Sequence, residues 1–256
     1  MTLNNEDRLF PTNAQTRGLS RSLYSSVKDL PILSPHGHCE PSWFSKNIRF
    51  PDPAQLFVVP DHYVFRMLVS QGFRLNELGV NSIDGSNFEK DPREIWKRFS
   101  ENYYLFRGTP TAMWLDYSFE KVFGITEPLT PATADFYYNH IEEKLSQPEY
   151  LPQALFHKFN IEVLSTTDSA ISDLGQHIEL KKSNWAGRVI PTYRPDSVVD
   201  PESSEFKNNL LKFGELTNED IASWDGYLKA HRSRRLFFRE MGATATDHGH
   251  PSARTE

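Results

Sequence analysis

The sequence predicts an α/β protein organised around a parallel sheet. Two observations carry that expectation. Short apolar runs alternate with longer helical patterns along the chain, an order that suits strands joined by crossover helices. Each apolar run also ends in polar, reactive side chains, and parallel-sheet folds gather their chemistry where strands end.

The first strand is expected at residues 31–34, running into His36, Gly37 and His38. Residues 61–73 read as a helix, with Asp61 as cap, Val64, Met67 and Leu68 on one face and Gly72 as the stop. Residues 91–106 open on Asp91 with Pro92 in the first turn and Glu94 three residues after the cap. A third helical stretch, 109–125, ends near Gly124, and a fourth, 130–145, again opens on Thr-Pro. A buried strand follows from Ile161 to Leu164 and closes on Ser165, Thr166, Thr167 and Asp168. Residues 171–180 are expected to be helical and 188–196 a second strand ending in polar residues. Two more helical stretches, 205–214 and 218–242, precede a third such strand at 243–250. Residues 196–204, around Pro201, read as a surface loop, and no internal repeat interrupts the pattern.

A chain of 256 residues can bury a sizeable core. Its net charge of -6 argues against nucleic acid or an anionic membrane as partner, because both select basic surfaces. One cysteine, Cys39, excludes an intrachain disulfide and suits a reducing compartment. No signal-peptide core opens the chain and no run approaches the roughly 18 apolar residues of a membrane span. A cytoplasmic protein is therefore expected. Phosphate loops, dinucleotide fingerprints and the G-x-S-x-G elbow are all missing from the sequence, which disfavours nucleotide-driven chemistry and serine hydrolysis.

The candidate site residues lie at the strand ends. His36 and His38, two apart on an extended strand, would point to one side and share a metal ion, although His-x-His also suits a polar turn. Tyr63, beside His62, is either an aromatic next to a capping turn or a phenol whose proton a nearby cation would loosen. Arg194 is expected either to pair with Asp196 or to hold a substrate carboxylate through its planar fork. Asp247, His248 and His250 put three acid–base groups into four residues, more than a solvated turn requires. The run Ser165 to Asp168 serves equally to end a strand and cap the next helix.

In order, PILSPHGHCEP, PDHYVFRML, FNIEVLSTTDS, IPTYRPD and TDHGHPSARTE resemble the uronate isomerases of the metal-dependent amidohydrolase superfamily. The segment EIWKRFSENYYLFRGTPTAMWLDYSFEKVFGI is similar to the one that precedes that family's Thr-Thr-Asp strand. The resemblance implies a (β/α)8 barrel, incomplete here, as a single domain over 1–256 with a helical insertion around 85–158. It implies an aldose–ketose isomerase interconverting glucuronate with fructuronate and galacturonate with tagaturonate. Under it, His36 and His38 ligate a divalent metal, with zinc named first. Tyr63, His62 and Asp247 take part in proton movement, and Arg194 and His248 bind the sugar acid. A homo-oligomer is compatible with it.

Two features depart from the pattern. Ser34 stands where many superfamily members carry an aspartate, and the family is about twice as long, with a late histidine and an Asp-x-Arg strand end that have no counterpart here. Residues 1–256 alone are accordingly expected to associate and not to turn over glucuronate. A hydrolase on the same barrel and an inactive remnant are the competing readings.

Overall fold

Strands β1 (Ile32–Ser34), β2 (Ile161–Ser169) and β3 (Arg188–Arg194) form a parallel sheet in the order β1-β2-β3. This computed structural model describes residues 3–81 and 85–249. β2 lies between the other two. It sets Ser34 opposite Leu164 on one side, and on the other it runs in register with β3 from Val163 opposite Arg188 to Ser169 opposite Arg194. Parallel strands need a crossover between them, and the helix Gly175–Lys182 supplies the one from β2 to β3. Three parallel strands with flanking helices are consistent with an incomplete barrel.

The chain divides into two units. A helical unit comprises Met1–Asp29 and Arg49–Leu151, and an α/β unit comprises Leu30–Ile48 and Pro152–Glu256. In the helical unit, Asp91 accepts the Arg93 N–H at 2.9 Å and starts the helix Pro92–Glu101, as its position in the sequence predicts. That helix buries Ile95, Trp96 and Phe99, and the Trp96 indole donates to the Ala134 carbonyl at 3.0 Å. Thr109 caps Pro110–Tyr117 in the same way, and the chain continues through a π turn, Ser118–Val122, that buries Phe119. Gly124, at φ 75°, follows it in the left-handed region that glycine adopts without a Cβ penalty.

Two apolar clusters hold the α/β unit. Phe44, Phe156, Leu164, Leu180 and Val189 make one; Ala170, Leu174, Tyr193, Val198, Phe213, Ala230 and Phe238 make the other. The helices Phe206–Thr217 and Trp224–Glu240 supply Phe213, Ala230 and Phe238 of the second. Among the described residues no helix is long and apolar enough to cross a membrane.

Three expectations are corrected. Residues 196–204 are not wholly a loop: Asp196–Val199 is a short helix whose Val198 is fully buried, because it fills the second cluster beside Phe213. Residues 171–174 are not helical. Ser172 and Asp173 accept the Leu174 and Gly175 N–H groups from their side chains, offering the backbone a turn in place of a helix, and the helix begins only at Gly175. The third strand at 243–250 reduces, within its described part, to one bridge between Tyr193 and Thr246; His250 lies outside the described residues. Pro191 explains this. Tyr193 turns both its N–H and its carbonyl toward residues 245 and 247, so Pro191, two residues earlier, faces the same edge without a donor to extend the ladder.

Deep in the second cluster, the Tyr193 hydroxyl lies 2.8 Å from His231 Nδ1. Burial, reinforced by Arg235, pushes the His231 ring down to about 4. A ring neutral in the fold but titrating near 6.5 when unfolded contributes stability that is present above pH ~6.5 and lost as pH falls toward 4. The His231 ring should therefore titrate near pH 4 by NMR, and His231→Gln should flatten the fall in urea stability between pH 6.5 and 4. Phe213→Ala should cost about 3–5 kcal/mol in the same urea measurement, since it empties a fully buried position.

Candidate active site

β1 stops at Ser34 because Pro35 has no N–H with which to continue the ladder. His36 and His38 thus lie beyond the strand, and strand alternation, the basis of the sequence expectation, does not align them. A tight turn does so instead. Gly37 packs so closely on β2 that a Cβ there would stand 2.8 Å from the Ser165 carbonyl oxygen. The Thr167 hydroxyl donates to the Gly37 carbonyl at 3.0 Å, and the Ser34 hydroxyl donates to the His36 carbonyl at 3.1 Å. The outcome is a separation of 3.0 Å between His36 Nε2 and His38 Nε2, with the ring planes 73° apart. With metal–nitrogen distances of about 2.0–2.1 Å, nitrogens this far apart meet one ion at an angle of roughly 90°. The same separation suits one ring donating to the other.

Asp247 stands on the other side of His36. Its backbone N–H donates to the Tyr193 carbonyl at 3.0 Å, which ties it to the end of β3. Its Oδ2 lies 3.1 Å from His36 Nδ1 and 3.6 Å from Arg194 Nη1. Those contacts are close but poorly aligned, and this buried oxygen accepts no hydrogen bond. Arg194 also donates from Nε to Asp196 Oδ2 at 2.5 Å, so its fork spans two carboxylates. Burial pushes the Asp196 carboxyl up, but the Arg194 hydrogen bond, the Gly249 N–H at 2.9 Å and the charges of Arg194 and His248 outweigh it and hold it below the usual carboxylate range. Gly249 fits tightly here, since a Cβ on it would come within 2.4 Å of Arg194 Nη2. His248 is exposed, with Nε2 3.2 Å from the Thr246 hydroxyl.

The structure thus places His36, His38, Asp247 and Arg194 in one cluster of the α/β unit, with His248 one residue beyond Asp247. His62 and Tyr63 belong to the helical unit. Asp61 accepts the Tyr63 N–H at 2.8 Å and opens the helix His62–Ser70. Val64 and Leu68 are buried while the Tyr63 ring stays exposed, 4.3 Å from the His62 ring and edge-on to Trp114. Among the described residues no three or more His, Cys, Asp or Glu side chains are grouped to hold a metal ion. Two imidazoles are at most part of a metal shell.

His177 escaped the sequence reading. It is almost completely buried, with Nε2 2.8 Å from the Thr166 hydroxyl, which in turn donates to Asp168 Oδ2 at 2.7 Å. Burial lowers its pKa against the pull of Asp168. Its Nδ1 is buried without a hydrogen bond. No spacing rule links a strand threonine to a histidine eleven residues later; only packing the helix on the strand does so.

The glucuronate isomerase family profile matches residues 6–255. The chain belongs to this family. It is 57% identical over 249 residues to the uronate isomerase of Rhizobium meliloti, across 97% of this chain and 53% of the relative. It is 54% identical over 255 residues to that of Mesorhizobium japonicum, across 100% of this chain and 54% of the relative. The crystal structure of glucuronate isomerase from Caulobacter crescentus superposes with a TM-score of 0.95 at 48% identity, covering 100% of this chain and 53% of that one. The chain spans about half the length of the curated relatives it matches.

Gly37→Ala tests the turn. The added methyl cannot sit 2.8 Å from a backbone oxygen, so the turn must move off β2, at an expected cost of about 1–3 kcal/mol in urea denaturation. An unchanged midpoint would show that Gly37 has room to spare.

Proposed function

We propose that this chain supplies part of the active site of an isomerase that interconverts glucuronate and fructuronate, with galacturonate and tagaturonate as a second pair. The observation that carries the proposal is the meeting of two imidazoles, a carboxylate oxygen without a hydrogen bond and an arginine fork at the ends of parallel strands, in a member of the glucuronate isomerase family.

An aldose–ketose shift removes the proton from C2, moves the O2 proton off and delivers protons to C1 and O1, through an enediol. It requires a base near C2, a donor for the returning proton and a hold on the sugar-acid carboxylate. Asp247 suits the base or relay role: its Oδ2 is buried, 3.1 Å from His36 Nδ1 and 3.6 Å from Arg194 Nη1, and accepts no hydrogen bond. Arg194 suits the hold, because a guanidinium meets a carboxylate through two parallel hydrogen bonds. In this reading a substrate carboxylate shares the fork that Asp196 and Asp247 now flank, with His248 close by in sequence. Tyr63 and His62 take their proton-transfer roles from the family resemblance. His36 and His38 would hold a divalent ion, zinc or manganese by ligand chemistry, which when bound polarises the carbonyl and the neighbouring hydroxyl.

We place the enzyme in the cytoplasm, as the single Cys39 and a sugar-acid substrate suggest. The acidic balance of -6 favours no polyanionic partner, and a homo-oligomer is compatible with the fold.

The test joins this chain to the region of the Rhizobium meliloti relative that the match leaves uncovered. That chimera, with added divalent metal, should convert glucuronate to fructuronate by NMR. Arg194→Lys in it should weaken uronate binding by about 1–3 kcal/mol, because a point charge replaces a two-pronged donor. Unchanged kinetics in that variant would remove Arg194 from the site, and conversion of amides or lactones in place of uronates would favour a hydrolase.

A further inference from the structure

We infer that Thr167 is a positioning residue that sets the spacing of the His36–His38 pair; the inference rests on reading that pair as part of the active site. The β1–β2 ladder ends with Ser34 opposite Leu164, and beyond it the turn lacks the strand register that would align its side chains. Its midpoint, Gly37, meets β2 twice. It leaves no room for a Cβ beside the Ser165 carbonyl, and its own carbonyl accepts the Thr167 hydroxyl at 3.0 Å. Ser165 meets Gly37 with its backbone carbonyl and Thr167 with its side-chain hydroxyl, so the strand grips the turn through a steric stop and a hydrogen bond.

Thr167 is suited to this. Its backbone pairs with Thr192 inside the seven-residue β2–β3 register, and a β-branched side chain in a strand has restricted χ1. The hydroxyl is therefore aimed by the most extensively paired part of the sheet. Two peptides set the 3.0 Å separation of the ring nitrogens, His36–Gly37 and Gly37–His38, and the Thr167 hydrogen bond fixes the plane of the second. The Ser34 hydroxyl steadies the first of those peptides, at His36.

Thr167→Val keeps the side-chain shape and removes the donor, Thr167→Ser keeps the donor, and Thr167→Ala is a second way to remove it. The ring-to-ring NOE between His36 and His38, read in histidine-labelled protein without metal, reports the spacing directly. Cobalt(II) binding by equilibrium dialysis reports its consequence. The wild type and Thr167→Ser should show the NOE. Thr167→Val and Thr167→Ala should lose it and bind cobalt roughly 10- to 100-fold more weakly, the scale on which groups that orient a metal ligand from behind act. Retention of both NOE and affinity in folded Thr167→Val or Thr167→Ala overturns the positioning role. Absence of the NOE from the wild type overturns the paired-histidine site beneath it, a distinct failure.

Discussion

Everything in the α/β unit is referenced to β2, the strand held on both sides. Its pairing with β3 runs over seven successive residues, from Val163 to Ser169, while β1 contributes three. A parallel strand buried between neighbours allows almost no slip, since a shift by one residue would exchange its two faces. Leu164 and Thr166 would then lose the first apolar cluster and the His177 ring. The same register sets where the strand ends fall, so Arg194 lies opposite Ser169, and the Tyr193 carbonyl is left at the edge to receive Asp247.

On that scaffold the unit places its charges economically. Asp247 is flanked by His36 and Arg194, and Asp196 receives the other side of the Arg194 fork together with a backbone N–H. The Arg194 hydrogen bond and the Gly249 N–H hold the Asp196 carboxyl below the usual carboxylate range against its burial. The two core histidines obey the opposite rule. His177 and His231 each gain a hydroxyl neighbour, from Thr166 and Tyr193, and burial keeps both rings from taking up a proton. The Arg194–Asp196 pair thus lies at the end of β3, and the two imidazoles whose pKa burial lowers are packed inside the unit.

Much of this was legible in the residues. Alternating apolar runs and helical patterns located β1, β2 and β3, and Asp61, Asp91 and Thr109 marked helix starts where the structure has them. Those signals are local: a cap satisfies N–H groups two or three residues away, and a buried strand needs only a short apolar run. Five ordered motifs also sufficed for the family. The misreadings were equally physical. Residues 243–249 have strand-like composition, yet pairing depends on the partner, and Pro191 leaves that edge one donor short. Val198 sits in a polar, proline-marked stretch, and only the cavity beside Phe213 makes it a core residue.

By itself the sequence determined the kind of fold, the positions of most elements and the chemistry available at the strand ends, because propensity, capping and hydrophobic period act over a few residues. The tertiary structure decided which of those side chains meet. His36 and Asp247 are 211 positions apart and come within 3.1 Å of each other only because the sheet brings the end of β1 and the segment after the last helix to one edge. The 3.0 Å spacing of His36 and His38 likewise comes from Ser165 and Thr167 pressing and holding Gly37, and not from strand alternation. Contacts between residues so distant along the chain depend on register and close packing, which no local pattern encodes.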